Sequence, residues 1–170
     1  MRSFFVYYLK ILWLIALAQQ LTGSAIKTTS EKAYKKLMSL RSLAFEDCGS
    51  LYKVNYLNID GCSKTPCPMA RNSSVKVTVL FDDNGNGVSF LKHEVSWLFT
   101  YSTKAAVITP DPCDGDHHCL VSLAEGKSYW ANIFVTPTLP IQMRGNMKWE
   151  GLSETKQTLI CFEVPVVITL

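Results

Sequence analysis

The chain has 170 residues, 48% of them hydrophobic, with 17 lysines and arginines against 14 acidic residues, and six cysteines. That length suits a single domain with a modest core. A formal net charge of +3 falls well short of the concentrated basic surface that nucleic acid requires, which excludes that class of partner.

In chain order, the first feature is a targeting segment. Arg2 and Lys10 flank short apolar stretches, Ile11 to Ala18 is an apolar run, and Gly23-Ser24-Ala25 supplies the small residues a signal peptidase reads. The run is shorter than the roughly 20 residues a spanning helix needs. Residues 1–25 are therefore expected to be a signal peptide cleaved after Ala25. Arg2 and Lys10 leave with it, and 15 basic residues then face 14 acidic ones. Residues 26–43 form a basic extension. Thr28 and Glu31 have capping-box spacing, and Ala33, Tyr34, Leu37, Met38 and Arg41 recur at helical spacing, predicting about three turns of helix. Lys32, Lys35 and Lys36 would suit an anionic membrane surface; a solvated, frayed terminus is the plainer reading and the favoured one.

Residues 44–170 are the domain proper, and from Val75 onward they alternate with period two, the mark of half-buried strands. Val75, Val77, Val79 and Phe81 share one face. Asp82 to Gly87 is a turn, with Asn84-Gly85 suited to positive φ. Val95, Trp97, Phe99 and Tyr101 then share a face. Tyr129, Ala131 and Ile133 begin another strand, and Ile141, Met143, Met147 and Trp149 oppose a polar set. Ile160, Phe162, Val164, Val166 and Ile168 line the last strand. Pro165 lies inside it, which predicts an edge strand or a bulge. Six or seven strands parted by Gly, Pro and Asp turns predict an all-β, two-sheet antiparallel sandwich. The expected inward aromatic set is Phe81, Trp97, Phe99, Tyr101, Trp130, Phe134, Trp149 and Phe162. It fits equally an ordinary close-packed core and the wall of a cavity for an apolar ligand.

Little in the chain resembles catalytic machinery. No G-x-S-x-G, H-E-x-x-H or phosphate-loop pattern is present, and His93 is the one histidine outside the His117-His118 pair. Asp114, Asp116, His117 and His118, beside Cys113 and Cys119, look like metal ligands at first sight. Adjacent histidines in a short loop point apart, however, and the spacing is not tetrahedral, so no metal and no cofactor is expected. In an oxidising route the six cysteines should pair, with about 15 connectivities open to sequence alone. Cys62 to Cys67 and Cys113 to Cys119 look like pinched loops, and Cys48 and Cys161 lie near the two ends of the domain. Asn72-Ser73-Ser74 is a glycosylation sequon in a polar loop.

Four ordered motifs carry a family resemblance. Phe45-Glu46-Asp47-Cys48-Gly49-Ser50, Cys62-x4-Cys67-Pro68, Asp111-Pro112-Cys113-x5-Cys119 and Cys161-Phe162-Glu163-Val164-Pro165-Val166 together resemble the ML (MD-2-related lipid-recognition) domain, particularly its Niemann–Pick type C2 branch. The likeness runs from about Ala44 to Leu170. Ser102 to Val107 stands where vertebrate sterol carriers have a proline repeat. The resemblance implies an immunoglobulin-like sandwich with an internal apolar pocket holding one sterol, fatty acid or similar lipid, and the pairs Cys48–Cys161, Cys62–Cys67 and Cys113–Cys119. The expected role is a secreted or lysosomal lipid carrier, not an enzyme, working as a monomer and meeting a membrane transporter, receptor or membrane surface. The rival role is a secreted recognition module acting through a protein receptor in immunity or signalling. Motif position and alternation nominate Tyr101, Val107, Ile108, Phe134, Val135, Leu139 and Ile141 as mouth and wall residues, and the full lipid-pocket set adds Val95, Trp97, Phe99, Met143, Met147, Trp149 and Phe162.

Overall fold

A computed structural model describes residues 41–100, 102–108, 120–123 and 126–170, together with Lys32 and Lys36. Among the described residues, strands form two sheets that pack face to face. The first sheet runs β1 (Glu46–Asp47), β11 (Thr158–Thr169), β10 (Arg144–Leu152), β5 (Lys92–Phe99) and β6 (Ser102–Ala105), with β3 (Cys67–Ala70) also against β11. The second runs β2 (Lys53–Ile59), β4 (Ser73–Asp82), β9 (Gly126–Val135) and β7 (Val107–Ile108), with β8 (Leu120–Leu123) also against β9.

The alternation read from the sequence sets which faces meet. Val75, Val77, Val79 and Phe81 of β4 are buried while Ser74 and Lys76 are exposed; Tyr129, Ala131, Ile133 and Val135 of β9 are fully buried. From the other sheet come Val95 and Trp97 of β5, Met147 and Trp149 of β10, and Ile160, Phe162, Val164, Val166 and Ile168 of β11. Burying such side chains contributes about 1.5–3 kcal/mol each before ordering costs, so this interlayer is the main source of stability. Leu43 joins it from the end of the N-terminal extension, where Leu43 N donates to Leu57 O and Leu57 N to Ser42 Oγ, covering the open edge of β2.

The Asp-Cys-Gly-Ser motif is a clasp on β11. Asp47 Oδ1 accepts from Gly49 N and Ser50 N at 2.9 Å each, and Gly49 takes φ +113°, a backbone state that side chains disfavour. Ser50 Oγ lies 2.8 Å from Cys161 N and 2.9 Å from Cys161 O. The Cys48–Cys161 disulfide closes the same point, joining residues 113 apart in sequence. Burial acts to raise the Asp47 carboxyl, but hydrogen bonds from Ser50 and Gly49 outweigh it and hold the group below its ordinary range. The stability this adds is present above the unfolded-state value and is lost as pH falls through the folded one. Cys62–Cys67 is also bonded and turns the chain into β3.

Six connections between the described strands pass from one layer to the other, and two of them frame the ends of β5 and β6. The Asp82–Leu91 stretch leads from β4 in one sheet to β5 in the other, turning at Asn84 and Gly85, whose φ values are +53° and +74°. Asp83 is buried there, accepting from Gly85 N and Val88 N and pairing with Lys127 Nζ at 3.6 Å. After the β5–β6 hairpin the chain crosses back at Ala106, whose N–H donates to Val95 O, and enters β7. β10 and β5 approach closely: a methyl group on Gly145 would lie 2.2 Å from the Leu98 carbonyl oxygen and 2.8 Å from Phe99 Cδ1. Gly145→Ala should therefore destabilise by about 2 kcal/mol or more, at the upper end of the range for over-packing, read as a lower urea midpoint.

Several sequence expectations are corrected. β11 is not an edge strand, nor bulged at Pro165: its pairing with β10 runs unbroken through Asn146↔Pro165. The proline falls in the gap on its other side, between partners β1 at Phe162–Glu163 and β3 at Val166–Thr169. The β3–β11 pair is parallel, the exception among the described strand pairs, which are otherwise antiparallel. Ile141 lies in a turn before β10, with Gln142 at φ +61°. Trp130 and Phe134 alternate with the buried Tyr129, Ala131, Ile133 and Val135 and so belong to the outer face, where Lys76 Nζ sits 4.5 Å from the Trp130 ring centroid. Lys32 and Lys36 are exposed and helical. The rest of the expected helix, the signal segment, Tyr101 and the Cys113–Cys119 loop lie outside the described residues.

Candidate ligand-binding site

The interlayer has a graded structure. Along β10, Trp149 stands between Val95 of β5 and Phe162 of β11, and Met147 between Trp97 and Val164. Trp149 and Phe162 stack with centroids 6.0 Å apart and planes 8° from parallel, and Phe45 meets Phe162 edge-on at 6.1 Å. Tyr129 reaches this row from β9 across the gap. All are closed to solvent except Phe45. Two pairs further along β10 and β5, Gly145 and Phe99 are only half-buried, as is Met143. The sandwich is thus sealed at its aromatic end and looser at the end where β5 turns into β6.

Of the nominated residues, Val95, Trp97, Met147, Trp149, Phe162 and Val135 are buried and inward, and Phe99 and Met143 sit at the looser end. Leu139 is 2% exposed, so it plugs the core from the β9–β10 loop. Arg71 Nη1 holds that loop, donating to Pro137 O at 3.2 Å and Leu139 O at 3.4 Å. Ile141 is 41% exposed at the same end and does not join the interior. Phe134 lies on the outer face, opposite Val107 in the β7–β9 pairing, while Ile108 pairs with Ile133. Sequence reasoning did not nominate Ala131 or Ile133, although their alternation with Tyr129 was visible, nor His93, which continues the Val95–Trp97 alternation toward the loop.

Two open depressions lie at the sealed end. One, of about 350 Å³, involves Asp83, Gly85 and Lys127; the other, of about 400 Å³, involves Tyr52, Phe90 and Leu159. None of the nominated residues lines either. Among the described residues no group of three or more His, Cys, Asp or Glu side chains is placed to hold a metal ion, and no helix is long and apolar enough to cross a membrane. The interlayer offers hydrocarbon and aromatic surface of the kind that lines sites for apolar ligands.

The fold and its cross-links define an immunoglobulin-like β-sandwich tied end to end by a disulfide. No protein-family model matches the chain. It is similar to the NPC intracellular cholesterol transporter 2 of dog, with 27% identity over 131 residues, covering 73% of this chain and 83% of that protein. The mouse protein of the same name is 26% identical over 130 residues, covering 75% and 85%. In structure it resembles a Niemann-Pick type C2 protein from the Japanese carpenter ant, with a TM-score of 0.60 and 21% identity, covering 74% of this chain and 99% of that one. Curated relatives and structural neighbour agree: the chain is similar to NPC2 proteins in sequence and to one in fold.

Proposed function

We propose that this protein is a non-enzymatic carrier that holds a sterol, fatty acid or similar lipid between its two sheets. The carrying observation is the gradient along the interlayer: a continuous apolar row closed at Trp149 and Phe162 and looser at Phe99 and Met143. Such a row receives the apolar body of a lipid and leaves its polar end at the mouth. Burial supplies affinity at about 25 cal/mol per Å² removed from water, less the costs of association and ordering. The relatives' name, a cholesterol transporter, supports the ligand class. The protein acts as a monomer and delivers its lipid to a membrane transporter, receptor or membrane surface.

The site of action is outside the cytosol, in the secretory route or the lysosomal lumen. Residues 1–25 have the signal-peptide pattern, and two disulfides fit an oxidising compartment. Asn72 is exposed in a turn at φ +58°, so its sequon is open to glycan. The test is displacement of a fluorescent fatty acid and a fluorescent sterol from the purified protein. Saturable binding near one lipid per chain, competed by unlabelled lipid, is expected. Absence of binding to both probes contradicts the proposal.

A further inference from the structure

The sealed end of the interlayer carries polar groups that a purely hydrocarbon site does not need. His93 of β5 and Tyr129 of β9 belong to opposite sheets and are buried. The Tyr129 hydroxyl and His93 Nδ1 are hydrogen-bonded across the gap. Trp149 packs against both, its centroid 5.7 Å from that of His93 and 6.1 Å from that of Tyr129. Trp149 is fully buried, and its indole Nε1 has no hydrogen-bond partner among the described residues.

Buried donors nearly always find a partner, and leaving one unmade costs more than a typical hydrogen bond gains. The indole nitrogen only donates, so the group it calls for is an acceptor. Its cross-strand neighbours, Val95 and Phe162, are hydrocarbon. The call for an acceptor arises at the inner end of the row rather than at the mouth. Trp149 is four residues along β10 from Gly145, which at strand spacing is about 13 Å.

We infer that Trp149 is a specificity-determining residue whose indole N–H donates a hydrogen bond to an oxygen at the buried end of the ligand. The inference rests on the interlayer being the lipid site and narrows the ligand class to lipids with a hydroxyl or carbonyl oxygen remote from the headgroup. His93 and Tyr129, already bonded to each other, frame that position. Because the aromatic end is closed in this structure, the ligand enters from the Phe99 end and parts the layers as far as Trp149.

The experiment compares lipid pairs: stearate with a mid-chain hydroxystearate, and cholesterol with a side-chain-hydroxylated cholesterol, each competing with a fluorescent lipid. In the native protein the oxygenated member of at least one pair should bind about tenfold more tightly, the size expected when a buried donor gains its acceptor. In Trp149→Phe the ratio between oxygenated and parent lipid should fall to about one, and the ratio rather than either affinity is the readout because the substitution also changes the wall of the site. A second readout needs no variant: the Trp149 indole N–H resonance should move downfield with the oxygenated lipid and not with the parent. Parent lipids that bind with equal or higher affinity than their oxygenated partners, and an indole resonance that ignores the added oxygen, would overturn this inference while leaving the carrier intact; a buried water would then be the acceptor. If neither member of either pair binds, the carrier reading falls and this inference with it.

Discussion

Replacing Cys48 and Cys161 together by alanine should lower the melting temperature by on the order of 15 °C. The pair spans 113 residues, and closing a loop that long removes about 4–5 kcal/mol of unfolded-state entropy in the chain-entropy model. Removing Cys62–Cys67, whose partners are five residues apart, should cost only about 2 kcal/mol on the same scale. The contrast is the test, because both changes remove one disulfide from the same fold. The long bridge also anchors the Asp47 and Ser50 clasp, whose bonds to Cys161 hold the start of the domain on its last strand. Equal losses for the two pairs in calorimetry would show that the clasp holds without the covalent link.

Ala131→Phe should reduce lipid affinity at least tenfold, while Trp130→Ala, one residue away, should change it by less than about twofold. Ala131 is the smallest inward side chain on β9, between Tyr129 and Ile133, and is fully buried. A phenyl ring there takes the space into which a ligand must come. The stability cost should stay within about 1–3 kcal/mol, the usual range for over-packing. Trp130 is the larger aromatic, but it lies on the outer face under Lys76, away from the proposed site. Fluorescent-lipid titration and thermal unfolding of both variants separate the effects. If Trp130→Ala abolished binding and Ala131→Phe did not, the lipid would sit on the outer face of the second sheet.

The legible parts of the fold are those where one rule acts alone. β9 alternates without interruption, and β4 and β11 do so apart from the additionally buried Leu80, Leu159 and Cys161; period two reads the inward residues Val75, Val77, Val79 and Phe81 of β4 and Ile160, Phe162, Val164, Val166 and Ile168 of β11 correctly. β2 escapes this reading because its register shifts between Val54 and Tyr56: Val54, Tyr56, Leu57 and Ile59 are all buried, which breaks the alternation. β3 is four residues long and contains Pro68; a disulfide, not a pattern, delivers it to β11. Pro165 misled because a proline forbids a ladder donor only on the side where a partner lies, and topology puts a gap there. Trp130 and Phe134 were assigned inward for their size, against the alternation of their own strand. Bulk is a weaker guide than phase, since a half-buried aromatic gains from a cation across the strand as well as from a core.

The candidate site was readable to a similar degree. Alternation put Val95, Trp97, Met147, Trp149 and Phe162 on inward faces, where they are buried, and the family resemblance implied the Cys48–Cys161 bridge that closes the clasp. The polar trio at the closed end was not found, because it joins His93 and Tyr129 from different sheets and only tertiary packing brings them together. The β9–β10 loop was read as mouth lining. Arg71 instead pulls its backbone in, burying Leu139 and leaving Ile141 outside.

The central claim is that a lipid lies between the sheets, and photo-crosslinking tests it most directly. A stearate or sterol carrying a photoactivatable group in its apolar part is bound, irradiated and mapped by peptide mass spectrometry. The account predicts adducts on inward residues of facing strands, Phe99 and Met147 on one side and Ala131 and Ile133 on the other. Adducts confined to the outer face, at Lys76, Trp130 and Phe134, would contradict it.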